Sequence, residues 1–102
     1  MAHIVSYTHT TLGTIPKDVW DEAWFTIASW KGYLQLFPGF LAAHSGGYAR
    51  DNGDVRFYVS TTWEYPEQLE EWQASQWSAD SLLTSFSQPA YDLTHETFED
   101  FS

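Results

Sequence analysis

Four histidines, His3, His9, His44 and His95, are the only side chains in this 102-residue chain whose ordinary pKa lies near neutrality. Each is a candidate proton carrier, and a neutral imidazole is also a ready metal ligand. Alternation along an extended segment puts His3, Val5, Tyr7 and His9 on one side and Ile4, Ser6, Thr8 and Thr10 on the other. His95 shares a side with Leu93 and Thr97, so it can approach His9 if the first and last strands are neighbours. His44 shares a side with Phe40, Ala42, Tyr48 and Arg50 if no bulge intervenes. Neither HExxH nor His-x-His with a carboxylate partner occurs, so the histidines are read as proton-handling groups and no metal site is assigned. There is no cysteine, which excludes thiolate chemistry and disulfides. Ser6 and Ser60 lack the context of a nucleophile elbow, and a hydrolase triad is not supported.

The elements that must position these groups follow from periodicity. His3 to Thr11 is rich in β-branched and aromatic residues and reads as a first strand ending near Leu12. From Pro16 the period changes: Val19, Trp20, Ala23, Trp24, Ile27, Trp30, Leu34 and Phe37 fall on one half of a helical wheel. Thr14 is the expected N-cap, and Pro38-Gly39 ends the helix. Phe25 and Leu36 lie on the otherwise polar side, as candidates for a contact surface. Two extended segments, Phe40 to Arg50 and Val55 to Tyr65, flank Asp51-Asn52-Gly53-Asp54, a strong hairpin signal. Gly46-Gly47 within the first of them signals a bulge or a close backbone approach. Pro66 opens a second helix with Leu69, Trp72, Ala79, Leu82, Leu83 and Phe86 on its apolar face. Trp77 breaks that pattern, and a kink capped by Ser78 would redirect it inward. Glu64, Glu67, Glu70 and Glu71 form a solvated acidic face at the start of this helix. Asp92 to Phe101 is the expected closing strand.

The order βαββαβ over residues 1–102 implies one α+β domain of ferredoxin-like layout, a four-stranded antiparallel sheet with two helices on one face. Seven Phe, six Tyr and six Trp supply ample core for a chain of this length. The other sheet face, taken as apolar, then needs a cover, and a second copy of the chain is the expected one, giving a homodimer. The net charge of −10 argues against nucleic acid and anionic membrane surfaces as partners. Met1 to Thr14 has neither the basic nor the apolar region of a signal peptide, and the expected compartment is the cytoplasm.

Phe37-Pro38-Gly39-Phe40-Leu41, followed by Thr62-Trp63-Glu64 and then Leu69-Glu70-Glu71-Trp72-Gln73-Ala74-Ser75, resembles the antibiotic biosynthesis monooxygenase family. The resemblance implies a dimeric α+β barrel with a pocket between sheet and helices in each protomer. It also implies activities that include cofactor-independent oxidation of phenols and quinols, and haem degradation. Trp63 matches the tryptophan lining the pocket of anthrone-oxidising members, while Val59 and Leu69 replace an asparagine and a tyrosine of that pattern. Trp72 and Ser75 match haem-degrading members, but Leu82 stands where their iron-ligating histidine falls, and His3 to Leu12 has no counterpart of their first-strand asparagine.

Residues and resemblance together lead to the expectation of a monooxygenase-like dimer that binds a small hydrophobic or aromatic molecule and needs no cofactor. His9 or His44 is the candidate general base. Tyr7, Tyr58, Trp63, Trp72 and Trp77 are the candidate ring-binding residues. The alternative is a non-catalytic ligand-binding or sensing dimer with the same pocket.

Overall fold

A computed structural model describes residues 3–102. Strand β1 spans Ile4–Ile15, and a 3-10 turn at Lys17–Val19 leads into helix α1, Trp20–Leu34. Strands β2 (Phe40–Ala49) and β3 (Val55–Trp63) form the hairpin. Helices α2 (Pro66–Gln73) and α3 (Ala79–Thr84) precede β4, Tyr91–Phe101. All strand pairs are antiparallel, in the order β2-β3-β1-β4. The fold is therefore the expected α+β, ferredoxin-like arrangement.

The predicted apolar faces are the buried ones. Val19, Ala23, Ile27, Trp30 and Leu34 of the first helical segment meet Leu69, Trp72, Ala79, Leu82, Leu83 and Phe86 of the second. Together they cover Ile15, Val55, Phe57, Val59 and Trp63 of the sheet. Phe25 and Leu36 are exposed, as their place on the wheel required, but Trp24 on the apolar half is also largely exposed.

Several local expectations need correction. β1 runs on to Ile15, so Thr14 is a strand residue: its hydroxyl accepts from Arg56 at 3.1 Å and caps no helix. The second helical region is two helices, and Ser78 caps α3 by accepting from the Ser81 amide at 3.2 Å. Gly39 has φ of +80°, and a Cβ there would collide with the Gln68 side chain, whose Oε1 accepts from the Tyr65 amide at 3.1 Å. Pro-Gly at this turn thus serves a left-handed backbone held against the start of α2.

The register shift in β2 lies between Phe40 and Ala42, and pairing runs unbroken through Gly46-Gly47. A Cβ on Gly47 would lie 3.0 Å from the Arg56 carbonyl oxygen, so the glycines answer to close approach. The shift at Leu41 leaves Phe40 packed on Trp63 under the helices and turns His44 to the other face, opposite Ser60. That second face is not apolar as expected. It carries a ladder of hydroxyls: Thr8 meets Thr62 at 3.0 Å and Thr10 meets Ser60 at 3.4 Å. Ser6 and Thr8 both donate to Asp100, at 2.8 and 2.6 Å. Among the described residues no element of the chain packs over this ladder.

Candidate functional site

His9 sits in the middle of β1, under the helices and 6% exposed. Alternation turns it to the same side as Thr11, and antiparallel pairing sets it opposite Thr97 of β4, with Thr11 opposite His95. These four residues, with Gln73 at the end of α2 and Asp80 at the start of α3, make a continuous hydrogen-bonded chain. Gln73 Nε2 lies 3.2 Å from His9 Nδ1, which also meets Thr97 Oγ1 at 3.0 Å. His9 Nε2 meets Thr11 Oγ1 at 3.3 Å, and Thr11 Oγ1 meets His95 Nδ1 at 2.9 Å. His95 Nε2 ends the chain 3.1 Å from Asp80 Oδ1.

The two ends set the direction of every bond between them. An amide NH2 of Gln73 can only donate, so His9 Nδ1 accepts and its proton is on Nε2. A carboxylate of Asp80 can only accept, so His95 donates from Nε2, and in the neutral form of His95 Nδ1 is then an acceptor. Thr11 accepts from His9 and donates to His95, which uses its one hydroxyl proton once. This assignment follows from the bonding pattern.

Burial pushes the pKa of His9 below its ordinary 6.5, because the imidazolium would lose hydration. Repulsion from a charged His95 acts in the same direction, and the Asp80 carboxylate opposes both. His9 is therefore a neutral base on the wall of a cleft of about 260 Å³, with Gln73 and Thr97 bonded to its acceptor nitrogen. The cleft is lined by His9, His95, Trp72, Gln73, Asp80 and the start of α3. Its volume is below the roughly 300–1,000 Å³ of most ligand pockets, which suits a molecule of one or two rings.

Trp72 supplies the aromatic wall, edge-on to His9 with centroids 5.7 Å apart. Behind it stands Trp63 at 5.4 Å, fully buried, with its indole N–H donating to Thr61 at 2.9 Å. Tyr7 is paired with Trp63 in register and packs partly buried against the same core. The indole N–H groups of Trp72 and Trp30 both donate to the Trp77 carbonyl at 2.7 Å, which pins the link between α2 and α3 above the cleft.

Of the residues predicted from sequence, His9 and Trp72 line this cleft. Trp63 and Tyr7 stand in the core behind or beside it, without lining it. Trp77 points elsewhere: its ring stacks on Tyr33 at 4.7 Å and walls a separate cleft of about 230 Å³ between α1 and α3. His44 and Tyr58 are on the far face of the sheet, so His9 and His44 cannot serve one pocket within a protomer. Gln73, Thr11, Thr97 and Asp80 were not picked out in sequence. The two threonines carried a signal, since each lies two residues from a histidine on the same strand face. Among the described residues no three His, Asp or Glu side chains converge to hold a metal ion.

No protein-family model and no curated protein matches the chain. Solved structures do. A protein described as an antibiotic biosynthesis monooxygenase superposes with a TM-score of 0.72 at 15% identity, over 92% of this chain and 97% of its own. The fold is that of the antibiotic biosynthesis monooxygenases. Within the same monooxygenase-type fold, SnoaB, a cofactor-independent oxygenase from Streptomyces nogalater, gives a TM-score of 0.67 at 14% identity, over 94% and 93% of the two chains. The heme-degrading protein Rv3592 from Mycobacterium tuberculosis gives 0.63 at 18% identity, over 95% and 92%. At such identities the likeness to the monooxygenases is one of architecture. No helix among the described residues is long and apolar enough to cross a membrane.

Proposed function

We propose that this chain binds a small phenolic or quinol molecule in the His9 cleft and oxidises it with O2 without a prosthetic group. The observation that carries the reading is a buried histidine, its pKa lowered by burial, on the wall of a cleft that it shares with Trp72 and Gln73. His9 Nδ1 takes the phenolic proton, and the electron-rich anion then supplies the electrons for oxygen. For 1-naphthol the ring C–H para to the hydroxyl becomes a carbonyl. One atom of O2 stays in the naphthoquinone and the other leaves as water with two substrate hydrogens. Trp72 orients the ring, and the Gln73 amide is placed to hold the developing oxyanion.

Haem does not fit this donor set. Leu82, at the place that the resemblance gives to the iron-ligating histidine, is a buried leucine of the helix layer, and no step here runs through haem.

The test is oxygen consumption by metal-free protein, with a chelator present, on a panel of naphthols, quinols and anthrones. Uptake is expected with the one- and two-ring substrates in preference to the three-ring anthrones, given the size of the cleft. Quenching of tryptophan fluorescence without any oxygen uptake would instead support the binding-module reading.

The same reading includes a homodimer in which a second copy covers the hydroxyl ladder. Leu12, Tyr58 and Phe98 supply the apolar part of that contact, and the saturated hydroxyls of the ladder remove much of the desolvation cost. Sedimentation at micromolar concentration should give twice the 11.8 kDa chain mass. A single 11.8 kDa species would refute this part of the proposal.

A further inference from the structure

A base that is buried and resists charging must pass its proton on, or it will hand it back. Around His9, α2 offers Gln73 and Trp72 and β3 offers Thr61, none of which titrates near neutrality. The titratable groups near His9 are His95 on β4 and Asp80 at the start of α3. Both are reached through the nitrogen of His9 that faces away from Gln73, by way of the Thr11 hydroxyl. The route starts buried and ends exposed. His9 is 6% exposed and Thr11 fully buried, whereas the side chains of His95 and Asp80 are 35% and 75% exposed.

We propose that Thr11, His95 and Asp80 form a proton path that carries the proton taken up at His9 Nδ1 out to solvent. The inference rests on His9 being the base of the proposed function. The ligand hydroxyl displaces the Gln73 and Thr97 hydrogen bonds at His9 Nδ1, and its O–H bond breaks as the bond to Nδ1 forms. The His9 Nε2 proton moves to the Thr11 oxygen, and the Thr11 hydroxyl proton moves to His95 Nδ1. The His95 Nε2 proton moves to Asp80 and from there to water. One proton leaves the ligand and one enters solvent, and both rings stay neutral with their tautomers exchanged. Once the cleft is emptied, water at His9 Nδ1 accepts its proton and the chain runs back. Thr11 touches no ligand: it is a positioning residue that must both accept and donate, a task serine can perform and valine cannot.

The experiment uses the whole protein under anaerobic conditions, with 2-naphthol as the probe. Binding should release one proton per site to a pH indicator, and the bound probe should show the red-shifted naphtholate absorption. Thr11→Val should slow that release at least tenfold, and Thr11→Ser should restore it. Nitrogen-15 spectra of the free protein should place the protons of His9 and His95 on Nε2. Release from Thr11→Val at the wild-type rate, or an Nδ1-protonated His9 or His95, would overturn the path. His9→Ala separates the two ideas. If it abolishes ionisation while Thr11→Val does not, the base stands and the path falls. If 2-naphthol ionises as well without His9, the function reading itself falls. If 2-naphthol fails to bind at all, the function reading falls, and the tautomers alone uphold or refute the hydrogen-bond chain.

Discussion

Replacing His9 by alanine should lower oxygen consumption by about 10²–10⁴-fold, the usual contribution of a positioned general base. The loss should appear in kcat, because the cleft wall formed by Trp72 and the start of α3 remains. The variant is expected to fold, since Thr11 can still donate to His95 and water can reach Thr97 and Gln73 through the opened cleft. His9→Gln is the companion control, with a hydrogen-bonding amide but no base. In the wild type the rate should rise with pH through the ionisation of His9, which burial places below 6.5, and level off at neutral pH. Stability follows the same group. Its folded pKa is depressed, so the unfolded chain binds the proton more readily, and stability falls as pH drops from 6.5 towards the folded value. His9→Gln should remove that portion of the acid dependence. Rates within threefold of wild type in both variants would rule His9 out as the base.

Trp72→Ala should cost about 3–5 kcal/mol, the range for deleting a large buried aromatic side chain. The site leaves little room for collapse. Trp72 is fully buried, and its ring neighbours include Trp30 at 6.1 Å, Trp63 at 5.4 Å and His9 at 5.7 Å. Against a total stability of about 5–15 kcal/mol the loss approaches unfolding, and a midpoint shift of well over 10 °C is expected for a chain of this size. Trp72→Phe should be far milder, about 1–2 kcal/mol. It removes one of two donors to the Trp77 carbonyl, and Trp30 keeps that oxygen satisfied. Urea titrations followed by circular dichroism measure both. An alanine variant within 1 kcal/mol of wild type would show that the tryptophan cluster is not the structural wall of the cleft.

The local levels of this fold were legible in the residue pattern. The apolar stripes of both helical segments and the Asn52-Gly53 hairpin depend on neighbours a few positions apart, and periodicity reports them directly, although the first helix stops at Leu34, a turn ahead of the expected Pro38-Gly39. The Ser78 cap was visible for the same reason. Parity on β1 and β4 even brought His9 and His95 together, because the βαββαβ order makes those strands neighbours.

The site itself was decided by contacts that no local pattern carries. A one-residue shift at Leu41 assigned His44 to the far face, since slipping a strand by one position turns its side chains over. Trp63 and Trp72 share an aromatic signal in the sequence, yet only the packing of α2 against the sheet makes one a wall and the other its backing. Trp77 contributes its backbone carbonyl to the pinning of the cleft while its ring faces another one. Thr11, His95 and Asp80 meet because β4 and the start of α3 close over β1 across more than 60 residues of chain, with Thr11 and His95 themselves 84 apart. The direction of their hydrogen bonds exists only once Gln73 and Asp80 stand at the two ends. Residue types alone determined which groups could carry a proton, and tertiary structure determined their order, because a hydrogen-bond chain is a property of distances between elements.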